Sequence, residues 1–225
     1  MATGYFGKLP ARADFVIGQC PAGFLKSWEA FLMAGLAQSR QDLGEGWEEA
    51  FMTMPVWRFW LEPRRDSDEP VDPVAGALMP NVDKVGRAFP LTLASSVRPA
   101  EQDARPAEDW YDRAEEILRD TLREDAGLEE FQQAVAGLDA PFAVEASGKK
   151  GDAAELQAMP GTDTVVLSEF WCRAGEVGFE FSCAGLPDAS AFRWLLLPEA
   201  FATRETPQDV AGNIQGRFHP EDHQT

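Results

Sequence analysis

The chain is poor in histidine, poor in cysteine and short of cations, and each shortage excludes something. Its only histidines are His219 and His223, both close to the C-terminal end. A nucleophilic Ser, Thr or Cys buried in a folded core therefore has no histidine base within reach, which argues against Ser-His-Asp and Cys-His chemistry. Cys20, Cys172 and Cys183 are an odd, scattered set with no CxxC spacing. That pattern fits neither a disulfide framework nor a zinc site, and it suits a reducing compartment. Twenty Lys and Arg stand against 38 Asp and Glu, for a net charge of −18. Such a surface repels nucleic-acid backbones and anionic membranes, so neither is an expected partner. The acidity serves solubility, or a partner with a basic patch. No apolar run reaches the ~18 residues a membrane helix needs, and residues 1–15 carry no basic-then-apolar signal. The expected location is cytoplasmic, without membrane insertion.

Motifs are scarce as well. Gly4 and Gly7-Lys8 lack the gap and the following Ser or Thr of a phosphate loop, and no Rossmann, kinase or zinc pattern occurs. The stretch His219-Pro220-Glu221-Asp222-His223 offers metal-ligating types. A proline-containing tail holds them in no preorganised geometry. No catalytic residue, metal or cofactor is expected.

What the chain does have is large apolar side chains, with seven Trp and fifteen Phe, enough for a sizeable core at this length. Residues 54–96 organise the rest. Three apolar runs (54–61, 74–79 and 88–94) have strand length and lie between Pro, Gly and Asp punctuation. In the first, Trp57, Phe59 and Leu61 share one face and Val56, Arg58 and Trp60 the other, because strand side chains alternate. Bulk on both faces predicts a central strand covered on both sides. The small residues Ala75, Gly76 and Ala77 would let a helix sit close. Pro90 cannot donate to a ladder, which predicts an edge or a bulge in the third run.

Around this centre, residues 3–9 read as a short strand. Residues 21–41 read as a helix with Phe24, Trp28, Phe31, Leu32 and Leu36 in one stripe, and 45–52 as a second short helix. Residues 62–73, rich in proline and charge, are an exposed connection. A helix over 106–126 carries Trp110, Ala114, Ile117, Leu118 and Leu122 on one face, with early acids and later arginines suiting the helix dipole. A further short helix covers 128–138, and 139–162 is a loop or linker. A hairpin follows over 164–172 and 177–183. Asp188 caps a last helix running to Leu197, and 199–225 is a polar tail. The expected architecture is α/β (α+β): one domain over 1–198, with a mostly antiparallel sheet of five to six strands and helices on both faces. The Phe24–Leu36 helix covers one face and the Trp110–Leu122 helix the other.

The candidate binding residues are charged groups framed by aromatic and proline anchors: Lys8, Arg12 and Asp14; Trp57 and Arg58; Asp83 and Arg87. Lys8 taken alone reads as a solvated loop residue, and Asn81, Asp83 and Gly86 as turn formers. Arg58, mid-strand among bulky groups, needs a partner if buried, and Asp14 or Asp83 is the expected one. The set is either an internal Arg–Asp network tying the N-terminal turn to the sheet or a recognition surface at one end of the sheet. The two are compatible.

Gly7-Lys8-Leu9-Pro10, Asp14-Phe15, Trp28, Gly35-Leu36-Ala37, Ser39-Arg40, Pro55-Val56-Trp57-Arg58-Phe59 and the run from Leu78-Met79-Pro80 through Val82-Asp83, Val85-Gly86-Arg87 and Phe89-Pro90-Leu91-Thr92 resemble the TagF family of type VI secretion-associated proteins. Order and spacing match over roughly residues 1–96; Gly185-Leu186-Pro187-Asp188 is the best later piece. The resemblance implies a compact sandwich related in outline to longin-like domains. It also implies a cytoplasmic, non-catalytic accessory factor that represses type VI secretion post-translationally by binding the forkhead-associated scaffold protein. Two other classes compete: a hydrolase using carboxylates such as Asp14 and Asp83, and an immunity protein against a secreted toxin.

Overall fold

The structure, a computed structural model, describes residues 2–63, 72–97, 105–139, 141, 143–144, 165–175, 177–199 and 215–219. The connection at 64–71, most of the 139–162 linker and most of the tail lie outside them.

The strands are β1 (Gly4–Gly7), β2 (Val16–Gly18), β3 (Trp57–Pro63), β4 (Val74–Met79), β5 (Leu91–Ser96), β6 (Arg105–Pro106), β7 (Ala143–Val144), β8 (Val165–Ala174), β9 (Val177–Ala184) and β10 (Gln215–His219). The helices are α1 (Phe24–Leu43), α2 (Trp47–Thr53), α3 (Glu108–Asp120), α4 (Leu128–Ala136) and α5 (Arg193–Leu196), with a 3-10 turn at Gly44–Gly46 leading into α2. Eight strands form one sheet in the order β10-β9-β8-β3-β4-β5-β1-β2. Every neighbouring pair in it is antiparallel. β6 and β7 make a separate two-stranded ribbon.

The class and the two-sided cover are as expected, but the strand count is corrected upward from five or six to eight. The two additions are the edge strands. β2 has three residues, too few to show alternation, and β10 falls within the stretch read as tail. The third run is also corrected. β5 is an interior strand, paired with β4 on one side and β1 on the other. Pro90 lies just outside the ladder, which starts at Leu91, so its missing N–H costs no strand bond.

β3 divides the core. Trp57, Phe59 and Leu61 join Phe24, Trp28, Phe31 and Leu32 of α1 in one apolar cluster. Val56 and Trp60 join Trp110, Tyr111, Ala114 and Leu118 of α3 in the other. α1 forms because its buried residues recur at Phe24, Trp28, Phe31, Leu32, Leu36 and Ser39, a stripe along one face. Gly35 sits on that stripe because a Cβ there would lie 2.3 Å from the Phe192 ring. On β4, the fully buried Ala75 and Ala77 face α3. Gly76 turns the other way, under Phe59, where a Cβ would come within 2.1 Å of the ring.

The C-terminal elements depart from expectation in extent. α3 stops at Asp120, which leaves Leu122 outside the helix and 61% exposed. Asp188 does cap its turn, its Oδ1 accepting the Ala191 N–H at 2.8 Å, but the helix that follows has four residues. No helix among the described residues is long and apolar enough to cross a membrane.

Candidate functional site

The β4–β5 hairpin carries an eleven-residue loop over 80–90, and Asp83 is its hub. The Asp83 carboxylate is fully buried and accepts four hydrogen bonds. Oδ1 takes the backbone N–H groups of Val85 at 3.0 Å and Arg87 at 2.8 Å. Oδ2 takes Lys8 Nζ at 2.8 Å and Arg87 Nε at 2.7 Å. Burial alone would favour the protonated acid. The bonds from Lys8, Arg87 and Val85 overcome that and hold the pKa well below the usual carboxylate range. Gly86, at φ +84°, turns the loop back so that its N–H reaches Asp83 O. Asn81 closes the base, its backbone carbonyl accepting the Phe89 N–H and its side-chain oxygen the Val82 N–H.

The N-terminal turn is laced to this loop. Lys84 N–H donates to Arg12 O at 3.0 Å, and Arg87 Nη2 donates to Ala13 O. Lys8 is corrected from a solvated residue to a buried one, 6% exposed and paired with Asp83. Of the sequence candidates, the structure thus brings Lys8, Asp83 and Arg87 into one cluster and sets the Arg12 backbone beside it. Asp14 lies exposed in the same turn, without an ion pair among the described residues.

Trp57 and Arg58 lie elsewhere. Trp57 is buried, and its indole N–H donates to Leu195 O at 2.9 Å, pinning α5 to the sheet. Arg58 projects from the opposite face, so neither Asp14 nor Asp83 is its partner. Its guanidinium is shared by Glu115, Glu108 and Asp112 of α3, the latter two at 2.6 Å, and lies over the Tyr111 ring. Burial works against the charge, but bonds to Glu115 and Asp112 outweigh it and raise the pKa. The expected network thus exists as two separate ones: Lys8–Asp83–Arg87 fastening the N-terminal turn to the hairpin, and Arg58 fastening α3 to β3.

Beside the hairpin runs an open groove of about 580 Å³. Leu36 and Phe51 floor it, with Phe89 rising from the loop. Met33 of α1 and Met52 of α2 are its jaws, each 54% exposed, and Phe15 closes one end, its ring 4.8 Å from that of Phe89. Arg40, stacked 4.1 Å over Trp47, stands on the rim with Arg87 and Glu48. Lys8 and Arg87 are among the binding candidates read from the sequence; Arg40 entered only as part of the family-like Ser39-Arg40 pair, and Met33 and Met52 were not candidates. The available signal was that Met33, Arg40 and Met52 fall off the apolar stripes of their helices, where exposure is expected.

The thiols are free and unactivated. Burial pushes Cys20 up to about 11 and Cys183 up to about 12, and raises Cys172 too, so none is a thiolate nucleophile at neutral pH. Among the described residues no group of three or more His, Cys, Asp or Glu is arranged to hold a metal ion; the tail histidine stretch lies outside them, apart from the backbone of His219.

No curated protein matches the chain. Among solved structures it is similar to the crystal structure of PA0076 from Pseudomonas aeruginosa PAO1, with 32% sequence identity and a TM-score of 0.68, over 87% of this chain and 94% of that one. The family model described as "TagF N-terminal domain, Type VI secretion system-associated" matches residues 4–138. That span holds β1 to β5, α1 to α4, both ion-pair networks and every residue of the groove, and the chain belongs to this TagF family of type VI secretion system-associated proteins.

Proposed function

We propose that this protein is a non-catalytic accessory factor that represses type VI secretion post-translationally, in the cytoplasm, by binding and sequestering the forkhead-associated scaffold protein. Family membership supports the association with type VI secretion; the repression and the partner come from the family resemblance. The observation that carries the reading is the state of Asp83. Its carboxylate is sealed from solvent, held ionised and engaged by four donors. Such a group organises a loop; it neither gives nor takes a proton near neutral pH. The hydrolase reading took Asp14 and Asp83 as its working groups, and Asp83 is the one engaged in this way. Beside the loop lies an accessible apolar groove with a charged rim, the kind of surface through which a stoichiometric regulator acts.

The test is co-purification of the chain with the forkhead-associated scaffold of the same organism, followed by calorimetry on the purified pair. One-to-one binding, together with loss of secretion when the chain is overproduced, supports sequestration. No heat at high micromolar concentration rejects it.

A further inference from the structure

The groove differs in charge from the molecule that carries it. The charged residues that line the groove are Lys8, Arg40 and Arg87 against Glu48, with the buried Asp83 shared by Lys8 and Arg87. Three cations against two carboxylates leave the lining locally positive in a chain whose net charge is −18. The region is also apolar. Of the seven large apolar side chains left exposed among the described residues, Phe15, Met33 and Met52 line this one groove. Single exposed apolar side chains are ordinary on a protein surface, but several gathered round one concavity mark a contact site. Methionine jaws adapt their shape to an apolar guest, since the thioether chain is unbranched and polarizable. Arg40 is preorganised by its stacking on Trp47, whose indole is held by Ser39 at 2.9 Å. Arg87 is fixed by Asp83 and yet its side chain stays 57% exposed.

We propose that this groove binds an acidic amphipathic segment of a partner protein, with apolar anchors between Met33 and Met52 and carboxylates on Arg40 and Arg87. This rests on the reading that the protein acts through a binding surface, and not on which protein it binds. The overall acidity of the chain points toward a basic partner; the groove selects the opposite charge. A guest with Lys or Arg beside its anchors meets the cationic rim and is rejected, whereas Asp or Glu there gains charge-assisted hydrogen bonds from two guanidinium groups.

The test is a selection of short random peptides displayed on phage against the full chain, with counter-selection on the Met52→Glu variant. The two groove variants, Met52→Glu and Arg40→Glu, alter exposed positions, and circular dichroism is to confirm that they fold. The enriched peptides are expected to combine apolar anchors with Asp or Glu, and to lose roughly tenfold or more in affinity for Arg40→Glu. Val177→Glu, at the start of β9 and not among the residues that line the groove, should bind them like the wild type. The proposal is overturned if no peptide prefers the wild type over Met52→Glu, if the enriched peptides are neutral or basic, or if Arg40→Glu binds them unchanged. Competition then separates this inference from the scaffold reading. An acidic peptide that displaces the scaffold places both in the groove. Scaffold binding that peptide and groove variants leave untouched moves the scaffold to another face, and the groove is then judged on the peptide data alone.

Discussion

Lys8 Nζ and Asp83 Oδ2, 75 positions apart in sequence, meet at 2.8 Å beneath the surface, and Arg87 reaches the same oxygen from within its own loop. Asp83 is also held by Arg87 and two backbone N–H groups, whereas Lys8 has Asp83 as its ion-pair partner. Removing the carboxylate charge strands the buried Lys8 ammonium, and that is more damaging than losing a surface pair. Asp83→Asn is therefore expected to lower the thermal midpoint by roughly 10 °C, while Lys84→Ala, an exposed neighbour in the same loop, leaves it nearly unchanged. Differential scanning calorimetry on the two variants checks this. Equal midpoints would mean the pair contributes nothing to the fold.

The same carboxylate sets a pH dependence. The folded-state pKa of Asp83 lies below its unfolded value, about 3.9. Its contribution is therefore fully present above that value and is lost as pH falls toward the folded pKa. Unfolding midpoints in urea should stay flat with respect to this group from neutrality down to about pH 5, then fall. Asp83→Asn should show a shallower fall than the wild type below about pH 4. Parallel acid limbs would show that Asp83 titrates alike folded and unfolded.

On the other face, the three carboxylates around Arg58 are not equivalent. The Glu108 and Asp112 side chains are 73% and 63% exposed, whereas Glu115 is 11% exposed and bonds both Arg58 and Arg119. Exposed pairs are screened and are worth about 0–1 kcal/mol, but truncating a buried partner leaves a cation short of its counter-charge. Glu115→Ala should destabilise by about 2–3 kcal/mol, and Glu108→Ala and Asp112→Ala by under about 1 kcal/mol each. Urea unfolding of the three variants decides the order; a larger effect from Glu108→Ala contradicts it.

What could be read in the sequence follows from the range of each interaction. The α1 stripe and the two faces of β3 are local periodicities, so Trp28 and Phe59 went to one cluster and Trp60 to the other as expected. The partners of Arg58 are set by which helix crosses its face of the sheet, and the carboxylates lie 50 to 57 residues away. Spacing carries no trace of that. Lys8 was misplaced for a similar reason: lysine is almost never fully buried unless paired, and its partner is in a distant hairpin. Leu122 continued the helical period past Asp120, but the chain leaves the helix at Thr121, whose hydroxyl bonds Leu118 O at 2.6 Å. The groove was illegible because Met33 and Arg40 of α1, Met52 of α2 and Phe89 of the hairpin acquire a shared meaning only once those three elements are assembled.

A tight packing constraint inside the sheet gives the last prediction. Gly76 on β4 is the register partner of Phe59 on β3, and a Cβ on Gly76 would stand 2.1 Å from Phe59 Cζ and 2.4 Å from Leu93 O. The carbonyl belongs to a ladder and cannot retreat; the ring is locked among Phe24, Trp28 and Phe170. Gly76→Ala should therefore destabilise by about 1–3 kcal/mol, although alanine favours no special backbone here, because an overpacked core forces off-rotamer side chains. Phe59→Leu alone should cost on the order of 1–2 kcal/mol through lost volume. If the ring is the main obstacle, the double variant will be less destabilised than the sum of the singles, since leucine vacates part of the space the new methyl needs. Strict additivity in a double-mutant cycle would shift the clash from Phe59 to the Leu93 carbonyl and locate the constraint in the β4–β5 backbone instead.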